Sequence, residues 1–89
     1  MINGFILKEF GKRIKELRLS KNLSQEKLSH ETGFHRTYIG MVERGERNIS
    51  LTNITVFAKV FQIELNKLMD FSSIDPSHSY KEYEIKSLK

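Results

Sequence analysis

Two short amphipathic segments joined through a single glycine constrain the fold of this 89-residue chain more than any other feature. The first segment follows Ser24, whose hydroxyl can accept from the free amides of a first helical turn, and it stops at Gly33, a residue that suits a left-handed backbone. The second runs from about His35 to Arg44 and closes on Gly45. The pattern predicts two packed helices with a tight turn between them.

Apolar residues at helical spacing also precede and follow this pair. A first helix is predicted to end near Ser20, and a fourth to begin after the cap residue Ser50. A short fifth helix covers roughly residues 64–71, and no earlier stretch alternates as a strand does. The sequence therefore predicts an all-α domain of five helices over residues 1–71.

Residues 72–89 differ in composition from this domain. They contain the only proline and four serines within eight residues, which indicates a linker. The final stretch is too short to distinguish a strand from a helix, and we interpret residues 72–89 as a linker and tail.

The charge of the chain lies on the predicted domain. The net charge is +4, and residues 72–89 hold three lysines against three acidic residues, so the whole excess falls on residues 1–71. A basic folded part fits a polyanionic partner. The absence of cysteine excludes disulfides and thiolate metal sites, and no apolar run is long enough for a signal peptide or membrane span. We expect a cytoplasmic protein without membrane contact.

Catalytic and metal-binding patterns are missing from the sequence. The three histidines lack metal-ligand spacing, and Asp70 and Glu64 do not form a convincing acid–base pair. There is no nucleophile motif and no glycine loop of the kind that cradles phosphate. We therefore expect no enzyme activity, no cofactor and no metal.

The third helix divides into two faces on a helical wheel. Ile39 and Val42 fall on one arc with His35, and Tyr38 lies on the border. The opposite arc carries polar side chains, a glycine and a thioether: Arg36, Thr37, Gly40, Met41 and Arg44. This division suits a helix that packs on its neighbour and reads the major groove of DNA.

The polar arc suggests specific DNA contacts. Arg36 can grip O6 and N7 of guanine, and Thr37 can meet a thymine methyl or a phosphate. Gly40 allows close approach of the backbone, and Gln25 can direct its amide at a phosphate. Three more polar residues follow where a DNA backbone would pass: Arg44, Arg47 and Asn48.

Ordinary structural explanations exist for each of these residues. Arg36 and Thr37 can be a solvated face, Tyr38 can simply pack on the core, and Arg47 lies in an ordinary polar loop. The lysines of the first helix are interpreted as a solvated face: Lys8, Lys12 and Lys15. A protein-interaction module that has lost DNA binding also has this pattern, although the basic, polar face argues against it.

Three sequence blocks resemble a known family. They are Arg13-Ile14-Lys15-Glu16-Leu17-Arg18, Leu23-Ser24-Gln25-Glu26-Lys27-Leu28 and Ile39 with Val42-Glu43-Arg44-Gly45. In this order they resemble the phage-repressor-like helix-turn-helix family of the xenobiotic-response-element type. Two blocks are similar to controller proteins of restriction–modification systems: residues 36–40 and 43–50.

The resemblance implies five helices, an ion pair between Arg18 and Glu43, and a homodimer formed by the last helix. The interface residues would be Phe61, Ile63, Leu65, Leu68 and Met69. The positions matching DNA contacts are Arg36, Thr37, Tyr38, Arg47 and Asn48. One departure is His35, where the family often has Ser or Asp as helix cap. Because imidazole caps less well, we expect His35 to point towards DNA or solvent.

The sequence thus predicts a transcription regulator that binds an inverted-repeat DNA operator as a dimer. The controller resemblance implies activation of its own operon, with RNA polymerase as a further partner, and repression when a second site fills. An antitoxin or a phage-type repressor is the alternative within the same fold.

Overall fold

The computed structural model describes residues 4–72, and this part of the chain consists of five helices and their connections. They are α1 (Gly4–Ser20), α2 (Gln25–Thr32), α3 (Arg36–Glu43), α4 (Leu51–Phe61) and α5 (Leu65–Leu68). The described range contains no strand, which confirms the predicted all-α class. Apart from Ser72, the predicted linker and tail lie outside the described residues.

Local capping sets the helix boundaries as the sequence predicted. Ser24 Oγ accepts from the Lys27 amide at 3.0 Å, and Ser50 Oγ accepts from the Asn53 amide at 3.1 Å. Gly33 ends α2 with φ of 81°, a conformation that suits a residue without Cβ. These caps satisfy amides and carbonyls that a helix end leaves without partners.

The fifth helix is shorter than predicted, since it ends at Leu68 rather than Phe71. A longer helix would need the Ser72 amide to bond to the Leu68 carbonyl. Instead the Ser72 amide donates to Asp70 Oδ1 at 3.0 Å, and Arg13 Nε donates to the Leu68 carbonyl at 3.1 Å. The predicted length was wrong because these two side chains take the bonds that would continue the helix.

A single core holds the helices together, with the rings of Phe57 and Phe10 in edge-to-face contact at 6.4 Å between centroids. Each helix contributes to it. The buried apolar residues are Phe10, Ile14, Leu28, Ile39, Val42, Ile54, Phe57, Ala58, Phe61 and Leu68.

Two of the expected dimer-interface residues belong to this core. Phe61 is 2% exposed and Leu68 is 0% exposed in the monomer, so neither has surface left for a partner. Their assignment to an interface was wrong, because both side chains are buried within the core of the single subunit. Of the remaining three, Ile63 is half-buried and Leu65 and Met69 are exposed.

Gly11 permits the close contact between α1 and α3. A Cβ at this position would lie 2.2 Å from the Val42 carbonyl oxygen and 2.6 Å from that of Glu43. Both distances are far below van der Waals contact, and both atoms are backbone that cannot rotate away. A glycine here therefore sets how near α1 comes to the last turn of α3.

We predict that Gly11→Ala destabilises the protein by about 1–3 kcal/mol, because the added methyl forces α1 away from α3. Alanine has a more favourable helix propensity than glycine by about 1 kcal/mol, so the predicted loss of stability occurs in spite of that gain. Urea unfolding followed by circular dichroism measures it. The control is Gly4→Ala, where a Cβ meets nothing within 4 Å; equal stabilities for the two variants would contradict the packing argument.

Candidate nucleic-acid interface

The structure confirms the two faces predicted for α3 with two exceptions: Gly40 of the polar arc is buried, and His35 of the apolar arc is exposed. Ile39 and Val42 are buried in the core, at 0% and 2% exposure. Arg36 and Thr37 are exposed at the start of the helix. The helix is therefore anchored along one side and presents its first polar side chains to solvent on the other.

His35 caps α3, contrary to the expectation of weak capping, and it also remains exposed to solvent as expected. Its Nδ1 accepts from the Thr37 amide at 3.0 Å, and its backbone is extended as an N-cap requires. The expectation was wrong because Nδ1 is as many bonds from Cα as the side-chain oxygen of asparagine, and so reaches the same amide.

Five of the predicted DNA contacts surround one open concavity of about 230 Å³. They are Gln25, Arg36, Thr37, Gly40 and Arg44. α2 supplies Gln25 and α3 supplies Arg36, Thr37 and the backbone of Gly40, while Arg44 follows at the C-terminal cap of α3. The other four predicted contacts are not part of this lining: Tyr38 and Met41, both half-buried, and Arg47 and Asn48, both exposed in the α3–α4 loop.

The last turn of α3 is attached to α1 by a buried ion pair. Arg18 Nε lies 2.6 Å from Glu43 Oε2, and Arg18 Nη2 lies 3.1 Å from Oε1. The side chains are 9% and 4% exposed. Arg18 Nη1 also donates to the Leu23 carbonyl at 2.8 Å. A bidentate pair with a further acceptor satisfies most of the guanidinium donors, as a buried charge requires.

Gln25 belongs to the same network. Its Nε2 donates to Glu43 Oε1 at 3.1 Å, so one of its two amide hydrogens is engaged. This bond fixes the side chain at the edge of the concavity. The phosphate contact predicted for Gln25 would use the second hydrogen.

Tyr38 connects α3 with α4 and with the loop between them. Its hydroxyl accepts from Asn53 Nδ2 at 3.0 Å, and its ring packs edge-on against Phe34. The guanidinium carbon of Arg47 lies 5.3 Å from the centroid of the ring, a cation–π contact. Sequence reasoning missed Asn53, because nothing local to it indicates that α4 brings it to the tyrosine.

Arg44 and Glu46 form a second ion pair, on the surface. Arg44 Nε lies 3.0 Å from Glu46 Oε2, and Nη2 lies 3.1 Å from Oε1. Hydrogen bonding to Arg44 lowers the pKa of the Glu46 carboxyl, and the same bond raises the pKa of Arg44. Both groups therefore stay charged at neutral pH. The side chains are 58% and 52% exposed, so solvent screens the attraction.

Comparison with known proteins assigns the family. The family model described as Helix-turn-helix matches residues 14–68. The chain belongs to the helix-turn-helix family. It is 48% identical over 66 residues to the control protein C.BamHI of Bacillus amyloliquefaciens, a match covering 73% of this chain and 82% of that one. The control protein C.SmaI of Serratia marcescens is 45% identical over 56 residues, 63% of this chain and 67% of that one.

A solved structure shows the same fold. The restriction–modification controller protein C.AhdI of Aeromonas hydrophila superimposes with a TM-score of 0.67 and 50% sequence identity, over 70% of this chain and 94% of that one. These matches confirm the resemblance drawn from the sequence blocks. This helix-turn-helix protein is a DNA-binding transcription regulator whose homologues include restriction–modification control proteins.

Within residues 4–72 of this helix-turn-helix protein, no helix combines the length and the apolarity needed to cross a membrane. Nor do these residues contain a group of three or more His, Cys, Asp or Glu side chains placed to hold a metal ion.

We predict that Glu43→Gln destabilises the protein by about 3 kcal/mol, because it leaves the buried Arg18 guanidinium without a counter-charge. Glu46→Gln removes the same charge from an exposed pair and should leave the urea midpoint nearly unchanged. Chemical unfolding of both variants at pH 7 measures the difference. Similar midpoints for the two variants would show that the buried pair does not hold α3 in place.

Proposed function

We propose that this protein is a sequence-specific regulator of a restriction–modification operon, acting as a homodimer on an inverted-repeat operator. One observation carries the proposal. Gln25, Arg36, Thr37, Gly40 and Arg44 converge on a single open face of a helix whose other face is buried. The identity with named control proteins over most of the chain supports the operon assignment.

The geometry of α3 suits reading of the major groove. Its N-terminal residues reach base edges in this class of protein, and Arg36 and Thr37 are the first two residues of the helix. A guanidinium can donate two parallel hydrogen bonds to guanine, which gives sequence discrimination. The loop residues Arg47 and Asn48 would contact the phosphate backbone and set the position of the helix in the groove.

A dimer would bring two copies of α3 into contact with the DNA. Ile63, Leu65 and Met69 carry apolar surface before, within and just after α5, with Leu65 38% and Met69 37% exposed. Two subunits joined there by twofold symmetry would present recognition helices about 34 Å apart, one turn of the duplex. Such an arrangement reads an inverted repeat. As an activator of its own operon, the dimer would also contact RNA polymerase, and these partners place it in the cytoplasm.

Selection of bound fragments from randomised DNA would supply the operator, and Arg36→Ala would then test the reading of bases. We predict that the variant loses about 1–3 kcal/mol of discrimination at one base pair of each half-site. Titrations with the selected operator and with single-base variants measure this loss. Equal weakening on every sequence would make Arg36 a phosphate contact.

That selection also tests the proposal as a whole. Wild-type protein that enriches no sequence, and binds all DNA with the same salt sensitivity, would overturn sequence-specific regulation. The main alternative would then be a protein-binding module that has the helix-turn-helix fold.

We predict that Leu65→Glu shifts the protein from dimer to monomer at micromolar concentration, because a carboxylate would be buried in the apolar contact. Sedimentation velocity measures the shift. Leu51→Glu is the matched control, since Leu51 is 71% exposed at the start of α4 and lies outside the proposed interface. A wild-type monomer, or a dimer unaffected by Leu65→Glu, would contradict this interface.

A further inference from the structure

The guanidinium of Arg44 lies over Gly40 of α3, where the helix has no side chain. A Cβ built on Gly40 would come within 3.1 Å of Arg44 Nη1, and within 3.7 Å of Gln25 Oε1. The space directly over the Gly40 backbone is thus occupied by the side chain of Arg44. Gly40 itself is buried although it faces the open side of α3.

Glu46 holds the guanidinium in that place. The two residues are separated by Gly45, whose φ of 74° turns the chain so that both side chains point to the same side. The carboxylate then accepts from Nε and from Nη2, a bidentate pair at 3.0 and 3.1 Å. This geometry orients Nη1 towards Gly40.

This arrangement is incompatible with close seating of α3 in a major groove. A helix that brings the Gly40 backbone to base edges must leave no side chain between them. Arg44 lies at the C-terminal end of α3, whereas base contacts in this class come mainly from the N-terminal residues. The natural destination of the displaced guanidinium is a phosphate, which matches its planar pair of donors.

We propose that Glu46 is a positioning residue that holds Arg44 over Gly40 in the free protein, and that this pair opens when α3 enters the operator. The proposal rests on the proposed function, in which α3 reads DNA. On binding, Arg44 exchanges the Glu46 carboxylate for a phosphate, so the free energy of the Arg44–Glu46 pair is lost and reduces the net gain from the phosphate contact. Glu46 therefore lowers operator affinity without supporting the fold.

The central experiment measures operator affinity for Glu46→Gln against wild type. An exposed ion pair is worth little, so we expect about two- to fivefold tighter binding. The control is Glu16→Gln, which changes the net charge equally. Glu16 is exposed on α1, about 140° around the helix from the Gly11 contact with α3. We expect this control to change affinity less than twofold.

Arg44→Gln shows whether Glu46 acts through Arg44. In this background, Glu46→Gln should change operator affinity no more than Glu16→Gln does. The single variant Arg44→Gln should also reduce the slope of log affinity against log salt by about 0.9, the value for one lost phosphate contact. A full Glu46→Gln effect that persists without Arg44 would overturn the proposal, because Glu46 would then act by direct repulsion of DNA.

The outcomes distinguish failure of the role proposed for Glu46 from failure of the proposed DNA-binding function. Wild-type protein that does not prefer the selected operator over random DNA contradicts the proposed function. Wild-type protein that does prefer it, combined with equal affinities for Glu46→Gln and Glu16→Gln, contradicts the role of Glu46 alone. Unfolding midpoints of the variants serve as the check that each remains folded.

Discussion

The recognition helix depends on the buried pair between Arg18 and Glu43. Removing two charges from water costs several kcal/mol for each ion, and only good geometry with further hydrogen bonds offsets that cost. Here the guanidinium has two carboxylate oxygens and the Leu23 carbonyl, and the carboxylate also accepts from Gln25. An apolar contact of similar size would give comparable stability. The planar guanidinium of Arg18 also fixes the orientation of α3, because its hydrogen bonds can all form at only one orientation of α3 against α1 and α2.

Contacts at both ends hold α3 in place within the domain, which would favour the proposed DNA binding. His35 satisfies the Thr37 amide at the first turn, and Gly11 allows the last turn to lie directly on α1. A short helix of eight residues would not be stable alone in water. Since the backbone is already ordered, binding has to order only the side chains at its surface, which lowers the entropic cost of association.

Features encoded by neighbouring residues could be predicted from the sequence, and features that depend on folded contacts could not. The caps at Ser24 and Ser50 and the buried face of Ile39 are local signals, and they were confirmed. The end of α5 was missed because Arg13 reaches it from 55 positions away. The Arg44–Glu46 pair was missed for a different reason. Residues two apart do not meet on a helix, and only the left-handed Gly45 brings these two together.

Arg44 and Arg47, both predicted to contact DNA, are held by partners of different charge, and under the proposed function this difference would separate their effects on DNA. Arg47 rests on the neutral ring of Tyr38, so its full positive charge remains available to attract a phosphate at a distance. Arg44 is paired with a carboxylate, and at a distance the two charges cancel. Under the proposed exchange, Arg44 would add to binding only at short range, once a phosphate competes directly with Glu46. The early approach to DNA would then be governed by unpaired charge on the domain, and the final seating by the exchange at Arg44.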